Sequence, residues 1–196
     1  MMKILSPVFV FFFALSSFAA DLNADYEALR NNGEKYQVIG TVCEQVAMLR
    51  MKEKYPSPQY AVYTGIEYFS EKRTIGELDV TVLDNAAGTS KAVVVAEVKC
   101  WKNLDSARVK ALDQRKRFQK WIASDRPVQI KLRGEKPVSF TRDQFKQVNS
   151  YLAISQSGGQ SSGFEMTLDY TLEELMALRT KILECRSRGE CEPSGK

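Results

Sequence analysis

The segment Val93-Val94-Val95-Ala96 restricts the fold more than any other part of the chain. A strand with one wet face alternates apolar and polar residues, whereas this run, within a strand pattern over residues 92–100, is apolar on both faces. Such a strand belongs in the middle of a sheet, with cover on both sides. Two strand patterns come before it. Residues 60–69 are rich in Tyr, Val and Ile. Residues 74–83 alternate, with Leu78, Val80 and Val82 on one face and Glu77, Asp79 and Thr81 on the other. The run from Asp84 to Gly88 is a turn.

Helices must supply the cover. Residues 37–55 carry Val38, Val42, Val46 and Leu49 at helical spacing, widened by Ile39 and Ala47, and Pro56 and Pro58 end the pattern. Residues 106–123 form a second helix with Val109, Leu112, Phe118 and Ile122 on its apolar stripe. Residues 21–35 read as a loose helix or arm. Residues 128–132, 151–155 and 164–168 are short strands, and 155–163 is a loop of Ser, Gly and Gln. Thr171 and Glu174 form a capping box that opens a last helix, reaching about Cys185. No repeat or linker divides the chain. The expectation is one α/β domain over residues 20–196, with a central mixed sheet flanked by helices. Its core spans about 37–132, and an extra strand and helix lie in an extension of about 138–196.

Residues 1–19 read as a secretory signal peptide. Lys3 precedes an apolar run containing Phe9, Phe11, Phe12 and Phe13, and Ser17-Phe18-Ala19 supplies the small residues of a cleavage site. The run is too short for a stable membrane anchor, so the protein is expected to be exported, to the periplasm or outside the cell. Four cysteines in an exported chain suggest disulfides. Cys185 and Cys191 enclose a short polar loop and form the natural local pair, which leaves Cys43 with Cys100. Three connectivities remain open from the sequence.

Histidine is absent. That excludes Ser-His-Asp and Cys-His catalysis and His-bound zinc. Hydrolytic chemistry here must run on carboxylates, lysine and a metal held by oxygen atoms. The formal net charge of +4 permits a polyanionic partner without requiring one.

One constellation meets those limits. Gly76-Glu77-Leu78-Asp79 lies on the second strand pattern, and Glu97-Val98-Lys99 ends the third. Alternation puts Glu97 and Lys99 on one face, and antiparallel pairing brings Asp79 beside Glu97. Buried carboxylates need partners. A hard, hydrated ion such as Mg²⁺, with Mn²⁺ as a substitute, would partner Asp79 and Glu97. It could activate water against a phosphodiester while Lys99 stabilises developing charge.

Asp79 followed by Glu97-x-Lys99 resembles the signature of the PD-(D/E)xK phosphodiesterase superfamily, and the Gly-Glu-Leu-Asp lead-in is similar to its resolvase-like branch. The resemblance covers roughly residues 37–120. It implies a restriction-endonuclease-like core, places Glu44 of the preceding helix in the metal shell with Asp79 and Glu97, and gives Gln114 a catalytic position, with Gln119 as the alternate. Resolvases are intracellular, so the signal peptide argues against junction resolution and leaves nucleic-acid hydrolysis.

The basic side of the second helix, with Arg108, Arg115, Lys116 and Lys120, is the candidate nucleic-acid surface, and DNA is the expected partner. Trp101 either stacks on a base or packs. The reading is therefore a secreted, metal-dependent endonuclease. The alternative is a non-catalytic exported module that binds a polyanion or another protein, for which Asp79 is an ordinary strand residue and Glu97 with Lys99 an ion pair.

Overall fold

A computed structural model of the protein describes residues 21–71, 73–86, 88–134 and 138–193. The expected signal peptide lies outside them. Seven strands form one mixed sheet: β1 (Tyr60–Ser70), β2 (Arg73–Asp84), β3 (Lys91–Val98), β4 (Gln129–Leu132), β5 (Ser139–Phe140), β6 (Ser150–Ser155) and β7 (Met166–Thr167). Their order is β5-β4-β1-β2-β3-β6-β7. Pairing is antiparallel from β5 to β3 and parallel from β3 through β6 to β7. Four helices flank it: α1 (Leu22–Leu29), α2 (Thr41–Lys54), α3 (Leu104–Ala123) and α4 (Leu172–Ser187). The fold class is α/β, as expected.

β3 is central and covered on both sides. Val94, Ala96 and Val98 pack with Val42, Val46 and Ile182 in one apolar cluster, while Ala92 and Val95 pack with Phe118 and Ile122 in another. Helices α1, α2 and α4 thus cover one face and α3 the other. At about 25 cal/mol per Å² of apolar surface, this two-sided burial is what fixes the middle of the sheet.

Several local expectations need correction. Helix α2 starts at Thr41, and Val38 and Ile39 are 62% and 61% exposed in the turns before it. Arg179 of α4 donates to the carbonyls of Tyr36 and Gln37 at 2.6 and 2.9 Å, so those carbonyls are engaged by a side chain from another helix. Helix α3 starts earlier, at Leu104, because Asn103 caps it by accepting from the Ser106 N–H at 2.8 Å. Its buried stripe is Ala107, Ala111, Phe118 and Ile122, while Val109 is 60% exposed. The strand expected over 164–168 shortens to β7.

The chain also divides differently from the expected core and extension. β6, placed in the extension, pairs directly with β3, with Glu97 opposite Ala153. α4 opens with the expected capping box, Thr171 to Glu174. No helix among the described residues is long and apolar enough to cross a membrane.

Two disulfides join Cys43 to Cys100 and Cys185 to Cys191, with Cα atoms 6.3 and 5.4 Å apart. The pairing by elimination is therefore the one formed, and it fits an extracellular protein. The first bridge ties α2 to the segment just after β3. The second closes the end of α4.

Candidate active site

β2 carries the first site residue, and β1 shapes its surroundings. Gly65 of β1 has φ +71 and sits between Thr64, which pairs with Val80, and Ile66, which pairs with Leu78. That places it opposite Asp79. Across this point the packing of β2 changes sides: Leu78 belongs to the α3-side cluster, while Val80 and Val82 belong to the α2-side cluster. Simple alternation put all three on one face. The left-handed residue in the neighbouring strand breaks that alternation, and glycine takes this conformation without a Cβ penalty. A Cβ at Gly65 would also come 3.3 Å from Glu77 Oε1 and 3.4 Å from Arg133 Nη2.

Asp79 lies one residue beyond the last β2–β3 pair, Val80 with Ala96. Its carboxylate joins the two strands in place of the ladder. Oδ2 accepts from the Val98 N–H at 2.7 Å and from Lys99 Nζ at 2.5 Å. Lys99 Nζ also donates to the Val98 carbonyl at 3.1 Å and stands 3.8 Å from Glu97 Oε2. Asp79, Glu97 and Lys99 therefore converge, as the sequence implied.

Glu97 is the anomaly of the site. It is 1% exposed, and neither carboxylate oxygen has a hydrogen-bond donor within the described structure. Burial, then Asp79, raises its pKa well above the usual carboxylate range, against the pull of Lys99 and Arg115. Burial would lower the Lys99 pKa, but Asp79 and Glu97 together outweigh it and keep the ammonium charged. Glu44, in the first turn of α2, is pushed up to about 8 by burial, Asp79 and Glu77, with Lys99 and Arg133 opposing. Glu77 is raised by burial and by Asp79, with Arg133 opposing.

Four carboxyl groups thus share one electrostatic environment with three nearby cations, Lys99, Arg115 and Arg133. Such an excess of buried acid favours either proton uptake or a bound cation. Among the described residues no three Asp, Glu, His or Cys side chains already stand in metal-holding geometry. The charge between Asp79 and Glu97 is the Lys99 ammonium.

No family model, no curated protein and no solved structure matches the chain. The remaining site residues are accordingly read from geometry. Gln114 lies on the α3 stripe between Ala111 and Phe118, which faces the sheet, and its Oε1 is buried without a donor. Gln119 is exposed and lines a separate recess with Arg142 and Tyr151. Of the two glutamines considered, only Gln114 is turned inward. Cys43 neighbours Glu44 and Cys100 neighbours Lys99, so the first disulfide fastens the helix carrying Glu44 to the strand end carrying Lys99.

The basic surface of α3 divides in two. Arg115 makes a two-pronged contact with Glu165 at 3.1 and 3.0 Å, and Arg108 reaches Glu165 at 3.2 Å and the Gly163 carbonyl at 2.6 Å. Glu165 also accepts from the Ala153 N–H at 2.7 Å. These two arginines therefore tie α3 to the β6–β7 edge. Lys116 and Lys120 are exposed, as is Trp101. Sequence reading missed Glu165 and Arg133, whose partners are distant along the chain and carry no local signal.

Proposed function

We propose that the protein is an exported, metal-dependent nuclease that hydrolyses phosphodiester bonds, with DNA as the first substrate to test. The observation that carries the reading is Glu97: a carboxylate buried without a hydrogen-bond donor, beside Asp79 and a charged lysine. An orphaned carboxylate of this kind costs on the order of 1–3 kcal/mol or more unless something completes it. A restriction-endonuclease-like core is part of the proposal. The order α2, β1-β2-β3 meander, α3, then β6 parallel to β3 supports it.

The donor set is all oxygen, which suits Mg²⁺ or Mn²⁺. Asp79 and Glu97 would hold the ion, and the family resemblance would add Glu44, which lies on α2 and is coupled to Asp79. Bound there, it would supply charge against a phosphodiester oxygen and acidify a water. Lys99, held charged by its neighbours, stabilises negative charge developing at phosphorus. Asp79 positions Lys99 through the 2.5 Å contact and keeps the end of β3 in place through the Val98 N–H. Gln114 offers an unused acceptor toward the same side of the sheet.

A second reading keeps the fold without the chemistry. The closed Asp79–Lys99 pair favours it, since a satisfied ion pair needs no further ligand. The protein would then bind a polyanion or another envelope protein. Digestion of circular and linear DNA, with RNA alongside, separates the two. Cleavage with Mg²⁺ that stops with chelator supports the nuclease. Intact nucleic acid under every divalent ion tried would leave only the binding module.

A further inference from the structure

We infer that a polynucleotide strand reaches the carboxylate centre through the cleft between α2 and the β4 end of the sheet, with Arg133 as its phosphate contact; this rests on the nuclease reading. Asp79 and Glu97 are buried, and Lys99 is nearly so. On the α3 side, Ala107, Ala111 and Phe118 are fully buried. Arg108 and Arg115 pair with Glu165, and Arg115 also acts on Glu97 from within the buried α3 side. Lys116 and Lys120 each lie two residues past a member of the inward stripe, Gln114 and Phe118, which carries them more than halfway round the helix from the sheet. They point away from the reacting groups.

The opposite side is open. A cleft of about 540 Å³ is lined by the carboxylates Glu34, Glu44 and Glu77, by the cations Lys35 and Arg133, and by Thr64; it meets the centre through Glu44 and Glu77, with Asp79, Glu97 and Lys99 lying behind them. That volume falls within the range of small-ligand recesses, roughly 300–1,000 Å³, and suits a nucleotide unit of one strand better than a duplex. Arg133 is built into this mouth. Its N–H donates to the Gly65 carbonyl at 3.0 Å. Its Nη1 meets Glu77 Oε1 at 2.8 Å, yet half of its side chain (52%) remains exposed. The missing Cβ of Gly65 makes room for the Glu77–Arg133 pair. Glu77 engages one end of the guanidinium, and the remaining N–H groups are available to phosphate oxygens. The same glycine that bends the sheet at Asp79 thus also seats the cation at the entrance.

The test is binding of a labelled single-stranded oligonucleotide with phosphorothioate linkages, followed by fluorescence anisotropy across 50–200 mM salt, alongside cleavage of unmodified DNA. Arg133→Gln should weaken binding about tenfold and lower the salt slope by about 0.7, the value for one phosphate on a single strand. Arg133→Lys, which keeps the charge, should recover most of that slope. Lys116→Ala with Lys120→Ala should stay within about threefold of the parent. If Arg133→Gln fails a melting check, Lys35→Gln is the substitute and should weaken binding about threefold. A parent that cleaves and binds while Arg133→Gln, or its substitute, binds within twofold overturns the path and spares the nuclease reading. A parent that neither binds nor cleaves overturns both.

Discussion

Glu44 offers a quantitative handle on the acidic centre. Burial, Asp79 and Glu77 raise its pKa from 4.5 to about 8. Below pH 4.5 the group is protonated both folded and unfolded, so its full stability contribution is present. Between 4.5 and about 8 the unfolded chain has released the proton that the folded chain retains, and stability falls as pH rises. One proton changes stability by about 1.4 kcal/mol per pH unit. Over this window the loss comes to about 4–5 kcal/mol, which is large against a total of roughly 5–15 kcal/mol. For a domain of this size each kcal/mol moves the melting temperature by about 2–4 °C, so the metal-free protein should lose on the order of 10–20 °C between pH 5 and 8.5. Glu44→Gln keeps the shape and removes the titration. Its melting temperature should decline much less over the same range, with the residue of the slope coming from Glu97 and Glu77, whose pKa values are also raised. The assay is thermal denaturation by circular dichroism in chelator, parent beside variant. Parallel pH profiles for the two proteins would refute the account of Glu44 as a buried acid coupled to Asp79.

Three further outcomes follow from the geometry. Replacing Cys43 and Cys100 with serine should cost about 4 kcal/mol, against about 2 for the Cys185–Cys191 pair, because the first bridge closes a 57-residue separation and the second one of 6; denaturant melts measure both, and equal losses would contradict the loop-closure account. Gly65→Ala should destabilise by about 1–3 kcal/mol, since it forces a side chain into the left-handed region and against the Glu77–Arg133 pair; a neutral effect in the same melts would mean that β1 is not held in this bend. Lys99→Ala should reduce single-turnover cleavage by at least a hundredfold while binding of oligonucleotide changes only a few-fold; cleavage at the parent rate would remove Lys99 from the chemistry.

Much of the architecture is legible in the sequence because local pattern and long-range packing agree there. The two-faced apolar run of β3 needs cover on both sides, and it has it. The capping box at Thr171 forms because its partners are three residues apart. Asp79, Glu97 and Lys99 converge because a short turn forces β2 and β3 to pair. Other features depend on contacts that spacing does not encode. Val38 and Ile39 extend the helical pattern of α2, but Arg179, far along the chain, engages the carbonyls just before them. Val109 fits an apolar stripe, yet the small residues Ala107 and Ala111 are the ones that let α3 approach β6. Arg108 and Arg115 look like a binding surface until Glu165 is brought against them. The change of side at Asp79 comes from one glycine in the neighbouring strand, and counting by twos along β2 passes over it.

The central claim is that Asp79, Glu97 and Lys99 form a metal-dependent phosphodiesterase site. The most direct measurement is the rate of plasmid nicking by purified, oxidised protein in Mg²⁺, in chelator, and in Mg²⁺ with Asp79→Asn, each protein first shown to be folded by its melting curve. The account predicts cleavage by the parent in Mg²⁺, none in chelator, and a loss of at least a hundredfold in Asp79→Asn. Cleavage that persists in chelator, or an Asp79→Asn variant that nicks DNA at the parent rate, would contradict it.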